Sequence, residues 1–354
     1  MSDHHATQSR THLRSYLAAG YALFIVYASL SPFSGWQEQG LDFLEVLGSP
    51  LGQTFTWFDF TINLLAYLPF GFLLAMLLRS KFPTSSVLLA IVPGLAISLL
   101  MEYAQMYLPS RVSSNSDLIS NGAGVMCGAL LAVNIETHIW FVRMRHWYGQ
   151  WFRRGNVSDF GLALVALWMF AQINPSLPML GSVFISEMPH SPFEAVPVMP
   201  FNWLEAAAVA LNLLMLGVLL ITLLREQRYT VNLLLLVLGG VTLAKFFVAA
   251  VLLKSWALLL WLNSEATLGI FAGVLLVLAA RYLSRRYLLI FAALAVLAYM
   301  VLGHWVMGSS TPANSMRLYH WHYGHMLNYN ALSQVVALLF PLLLLGYLWL
   351  VRGK

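Results

Sequence analysis

Three polar pairs and one arginine stand where an apolar chain has least use for them. Asp59 and Asn63 open one membrane-length segment, Glu102 and Gln105 close the next, Arg111 follows in a short loop, and Asp117 and Asn121 open the segment after that. Each pair is spaced by three or four residues and so shares a helix face. Polar and ionisable groups are costly in lipid, which makes them markers of function. Glu102 has the chemistry of an acid/base or hydrogen-bonding centre, since a carboxyl group held in low dielectric suits proton transfer. Arg111 can neutralise a negative headgroup, and the other five can orient both. A structural alternative is a polar knot, in which Arg111 pairs with Asp117 or Glu102 while the amides bond helix to helix.

The elements that must position these groups are membrane helices. Apolar residues make up 60% of the 354-residue chain and charged residues only 9%, against about 25% charged in soluble domains. The net charge of +5 does not point to nucleic acid, because the basic residues flank apolar segments and report topology. The single cysteine, Cys127, excludes an intrachain disulfide and a cysteine-based metal cluster. No phosphate-binding glycine loop and no internal repeat is visible.

Hydropathy predicts an all-α polytopic bundle of ten spans, at roughly 14–31, 59–78, 85–107, 117–135, 158–174, 203–224, 230–252, 264–280, 287–307 and 327–350. The first run follows Arg10 and Arg14 as a signal peptide would, and Val26-Tyr27-Ala28 loosely fits a cleavage pattern. Its length, leading straight into Ser31-Pro32-Phe33, favours an uncleaved span. Most of the 19 basic residues fall on one side, among them Arg79, Lys81, Arg143, Arg153, Arg225 and Arg281, while the other side receives Arg111, Lys254 and Arg317. The rich side is then cytoplasmic, with both termini. The 102–121 cluster would lie at the opposite face, with Glu102 about 9 Å below the end of its span at 1.5 Å per residue.

The expected organisation is a four-helix membrane domain at 1–135, an amphipathic interfacial connector at 136–157 and a six-helix membrane domain at 158–354. The connector mixes Trp140, Phe141, Trp147, Trp151 and Phe152 with four arginines, the composition of a helix lying on a membrane surface. One long outer loop, 32–58, carries Glu38, Asp42 and Glu45 without a basic residue; the other, 175–202, carries Glu187, His190 and Glu194. Prolines at 175, 178, 189, 192, 197 and 200 argue against regular helix in the second loop. Gly124 and Gly128 form a small-residue packing face, and Pro69-Phe70-Gly71 interrupts the second span.

Residues roughly 15–135 resemble the VanZ family, named for a glycopeptide-antibiotic (teicoplanin) resistance protein. The resemblance rests on Ser29-Leu30-Ser31-Pro32-Phe33, on DFTINLLAYLPFG from Asp59 to Gly71, on Glu102-Tyr103-Ala104-Gln105, on Arg111, and on Asp117 to Gly124. It implies a multi-pass protein of the bacterial cytoplasmic membrane tied to the cell envelope, with a possible link to glycopeptide resistance. It implies no defined reaction, and the six later spans lie outside it.

Those spans hold a second polar set. Lys245 falls inside the seventh span and needs a partner, for which Glu265 and Glu205 are the candidates. Arg317, His320, His322 and His325 cluster before the last span. The surrounding tryptophan and tyrosine read as an interfacial belt, and the histidine spacing does not favour a metal. No metal and no cofactor are expected. The expected partners are membrane lipids and a lipid-linked glycan or cell-wall precursor. The function that follows is binding or modifying a lipid-linked or anionic envelope component at the extracytoplasmic face. A transporter or flippase, or a scaffold for envelope polysaccharide assembly, are the rivals; few polar groups in the inner halves of the spans weigh against transport.

Overall fold

The computed structural model describes residues 12–50, 56–185, 201–307, 312–320 and 324–353. Glu187, His190, Glu194, Pro189, Pro192, Pro197, Pro200 and His322 lie outside the described residues. The chain is an all-α polytopic membrane bundle; among the described residues the only β contacts are two isolated bridges. It divides into two compact units, with the boundary at Gly149 and Gln150.

In the first unit, α1 (Leu13–Leu30), α3 (Trp57–Leu78), α4 (Ser86–Gln105) and α5 (Asn115–Thr137) are the long helices, and a short α2 (Phe43–Gly48) sits in the first loop. α3 and α5 form the tightest pair, because glycine lets their backbones touch. A Cβ on Gly71 would stand 2.6 Å from Val125 Cα, and one on Gly124 would overlap the Leu64 carbonyl. α1 packs on α3, where Tyr21 Oη donates to the Ala66 carbonyl at 2.8 Å. Glycines 124 and 128 thus do what their spacing predicts, meeting the α3 backbone at Leu64 and Leu68, and Gly71 of the partner helix meets Val125 between them.

Within the 136–157 stretch lies α6 (Ile139–Trp151), with Ile139, Val142, Met144 and Trp147 more than half exposed. The second unit contains α7 (Asn156–Gln172), α8 (Trp203–Leu223), α9 (Thr230–Leu252), α10 (Ser264–Ala280), α11 (Arg285–Met307) and α12 (Gly324–Arg352). α8 is apolar on every side and buried almost throughout, the pattern of a central helix. It packs on α7, α9, α10, α11 and α12. Gly217 of α8 and Gly269 and Gly273 of α10 make that contact close.

All ten expected segments are helical, but eight of them are long and apolar enough to cross a membrane. The exceptions, α7 and α10, have 17 residues each. At 1.5 Å per residue they reach about 25 Å, short of a hydrocarbon core of about 30 Å.

Candidate functional site

The starts of α3 and α5 and the ends of α1 and α4 meet at one end of the first unit. Local rules explain the geometry. Thr56 caps α3, accepting from Asp59 N at 3.0 Å while its hydroxyl donates to Asp59 Oδ2 at 2.6 Å. Ser114 caps α5, its Oγ accepting from Ser116 N at 3.2 Å. Asp59 and Asp117 both fall in first turns, where a carboxylate meets the positive end of a helix dipole. The glycine contact between α3 and α5 then sets one acidic start beside the other.

Glu102 lies in the last turn of α4, which ends at Gln105 and not at 107 as expected. It is therefore about 4.5 Å from its helix end rather than 9 Å. Packing nevertheless buries it to 3% exposure. Its Oε2 accepts from Ser113 Oγ at 3.1 Å and from Ser114 N at 2.9 Å, fastening the turn from which α5 begins. Oε1 takes no hydrogen bond from a described residue. Asp117 acts on Glu102 by charge, as Asp59 acts on Asp117, and the Asn63 amide sits against the Asp117 carboxylate.

Asn121 is buried and donates from Nδ2 to Ser98 Oγ at 2.9 Å. Among the described residues its Oδ1 is a buried atom without a hydrogen bond in range, and so is the hydroxyl of Tyr67, whose polar neighbours are the hydroxyls of Ser98 and Ser29. Tyr67 lies within electrostatic reach of both Glu102 and Asp117, close to Ser98. Two orphaned polar atoms therefore border the carboxylates. A buried, unmatched polar group costs about 1–3 kcal/mol, so each one requires a reason.

The remaining two expected members do something different. Arg111 donates from Nε and Nη2 to the Ser31 carbonyl at 3.2 and 2.8 Å, and from Nη2 to the Ala28 carbonyl at 2.9 Å. Gln105 Nε2 donates to the Ser29 carbonyl at 3.0 Å. Together they cap the carbonyl end of α1, a favourable place for a cation. Partial burial lowers the Arg111 guanidinium from its ordinary value, though an arginine stays charged. The hydrogen bonds of Arg111 go to the end of α1, while the helix-to-helix amide bonds of the polar knot do form, Asn121 to Ser98 and Gln105 to Ser29. The result is an acceptor-rich cluster of Asp59, Asn63, Glu102, Asp117 and Asn121 beside a clamp made by Gln105 and Arg111.

Sequence reasoning missed Tyr67, Ser98, Ser113 and Ser114. A serine or tyrosine inside an apolar run carries little signal alone. Register could have found two of them: Tyr67 is one turn from Asn63, and Ser98 is one turn from Glu102.

In the second polar set Lys245 does not take the carboxylate partner expected of it. Lys245 is fully buried, donating to the carbonyls of Gln172 at 3.1 Å and Pro178 at 3.2 Å, with its ammonium 6.0 Å from the Trp261 ring centre. Glu265 instead accepts from Asn202 N at 3.3 Å and Ser264 Oγ at 2.9 Å. Glu205 faces Asn263 and Glu265. Arg317 and His320 are exposed, and the side chain of His325 lies outside the described residues. Lys245 takes backbone carbonyls left open where α7 ends and the irregular segment follows, at Gln172 and Pro178. An unforeseen buried network adjoins: Asn330 Oδ1 accepts from Asn174 Nδ2 at 3.1 Å, Ser176 Oγ at 3.1 Å and Tyr319 Oη at 2.7 Å, while its Nδ2 donates to Ser315 Oγ at 2.9 Å. Among the described residues no three His, Cys, Asp or Glu side chains converge as metal ligands.

Fold and site define a polytopic helical membrane protein whose polar centre lies in its amino-terminal unit. Residues 2–142, which cover that centre, match the family model described as VanZ/LLP1. No curated protein matches the chain, and no solved structure does.

Proposed function

We propose that the amino-terminal unit binds a lipid-linked envelope constituent at the extracytoplasmic face of a bacterial cytoplasmic membrane, through its hydroxyl-bearing part. The observation that carries this reading is the unmatched polarity around Glu102. Glu102 Oε1, Asn121 Oδ1 and the carboxylates of Asp117 and Asp59 are acceptors, and Tyr67 Oη is an orphaned hydroxyl beside them. An array of acceptors without a basic group at Glu102 repels a phosphate and suits a ligand rich in donors, as sugar hydroxyls are. The anionic part of the ligand then has no role at this cluster, and Arg111 serves by holding α1 in place. Glu102 is the hydrogen-bonding centre, Asp117 and Asn121 flank it, and Asn63 and Asp59 orient Asp117. If the bound group is also modified, Glu102 is the acid/base.

The test is mass spectrometry of lipids co-purified with the wild type, with Glu102→Gln and with Asp117→Asn, against an unrelated multi-pass protein from the same membrane. Enrichment of a lipid-linked sugar by the wild type, lost in both variants, is the expected result. Enrichment equal to that of the control protein would overturn the proposal.

A further inference from the structure

A second feature lies on another face of α4 and does not depend on the Glu102 reading. Trp36, Gln37, Glu38, Tyr103, Ala104 and Tyr107 line an open groove of about 410 Å³. Its walls are fixed. The Tyr103 and Tyr107 hydroxyls are 3.0 Å apart, with ring centres at 5.5 Å and planes at 70°. Phe43 abuts Tyr103 edge-on at 5.3 Å. Trp36 Nε1 donates to the Phe33 carbonyl at 3.0 Å, and Gln37 N donates to the Tyr107 carbonyl at 2.9 Å, strapping the loop across the helix end. The aromatic rings are 36–48% exposed, large apolar surfaces left open in an otherwise braced corner.

The groove also has a sign. Glu38 lies close enough to Tyr107 to act on its hydroxyl by charge, and no described residue gives Glu38 a hydrogen bond or a counter-charge. The loop from 32 to 58 contains Glu38, Asp42 and Glu45 and no lysine or arginine. Three aromatic rings around an uncompensated carboxylate is the chemistry that recognises an ammonium group: ring faces attract the cation and the carboxylate completes it.

Beyond the groove an exposed apolar stripe runs along the helix. Leu88, Val92, Leu95 and Leu99 are 38–70% exposed and follow each other at three- or four-residue steps into Tyr103 and Tyr107. From Val92 to Tyr103 the rise is about 16 Å at 1.5 Å per residue, close to the depth of one leaflet, half of a hydrocarbon core of about 30 Å. We propose that this face of α4 is a lipid site, with the acyl chain on the leucine and valine stripe and an ammonium headgroup held by Trp36, Tyr103, Tyr107 and Glu38.

The experiment compares three lipids of matched chains on the full-length protein by native mass spectrometry after partial delipidation: phosphatidylethanolamine, its N-acetyl derivative and phosphatidylglycerol. The ammonium lipid should be retained about fivefold or more over the other two, the range a carboxylate with aromatic faces provides. Glu38→Gln and Trp36→Leu, both at exposed positions, should each erase that preference while the mass and melting of the protein are unchanged. Soluble phosphoethanolamine should not displace the lipid. Equal retention of the three lipids, a preference that survives Glu38→Gln, or full displacement by the soluble headgroup would each overturn the proposal.

Discussion

Gly128→Ala is the most direct challenge to the frame that holds the site. A methyl group there would stand 2.8 Å from Phe72 N and 2.9 Å from Leu68 C, and nearer still to the Leu68 carbonyl oxygen. Ordinary contact begins at 3.4 Å, so α3 and α5 must part by more than the difference of 0.6 Å. The obstacles are backbone atoms, so no rotamer change relieves them. Overpacking of this kind costs about 1–3 kcal/mol, and a radial gap of about 0.5–1 Å forfeits a quarter to a half of the dispersion energy along the seam. The better helix propensity of alanine returns about 1 kcal/mol. A net loss of about 2 kcal/mol follows, or about 30-fold in the equilibrium between folded and opened forms. Cys127, the neighbour of Gly128 and the sole thiol, is the built-in probe. Maleimide labelling during a detergent melt should run about 30-fold faster in Gly128→Ala than in the wild type at a common temperature. Gly122→Ala is the control, because its methyl would meet only the movable tip of Leu95 at 2.8 Å. Labelling of Gly128→Ala at the wild-type rate, or Gly122→Ala as damaging as Gly128→Ala, would refute the reasoning.

Other perturbations separate structure from binding. Tyr67→Phe removes an orphaned hydroxyl and should raise the melting midpoint by about 1 kcal/mol equivalent while reducing the co-purified envelope lipid; a destabilised variant would show that the hydroxyl has a partner. Asn330→Leu strands the donors of Asn174 and Tyr319, while the Ser176 hydroxyl keeps Asn174 Oδ1 at 2.7 Å, and should cost about 3 kcal/mol, read as a lowered melt of the second unit; a change within error would dismiss the network as a brace. Lys245→Met removes an ammonium without a carboxylate partner, and since desolvating a charge costs several kcal/mol its midpoint should equal or exceed that of the wild type; a large drop would mean that the two carbonyl bonds outweigh burial.

How far these elements were legible depended on the scale of the signal. A membrane helix needs a long apolar run, so the ten expected segments are all helical, although α7 and α10 fall short of a span, and Gly124 and Gly128 announced close packing by their spacing. Termini were less secure: α4 stops at Gln105 because Met106 to Leu108 turn tightly, and nothing in the apolar pattern marks that turn. Spacing put Asp59 with Asn63, Glu102 with Gln105 and Asp117 with Asn121 on shared helix faces, but which faces meet across α3, α4 and α5 depends on the packing. Pairing could not be read the same way. Electrostatic intuition joins Arg111 to a carboxylate and Lys245 to a glutamate, but both cations bond backbone carbonyls, at the end of α1 and in the 172–178 segment. Carbonyls are present at every residue and leave no trace in the residue pattern.

The two oxygens of Glu102 divide their labour, one tied to Ser113 and Ser114 and the other uncommitted. An amide at this position has a single oxygen to spend. Glutamine that keeps the α5 start in place must turn that oxygen toward the serines and offer its NH2 to the other side. The substitution then inverts the polarity presented to a guest, from a group that receives hydrogen bonds to one that gives them. A glutamine variant would thus be a site of reversed preference rather than an empty one, and a guest rich in carbonyls could enter where a guest rich in hydroxyls had been.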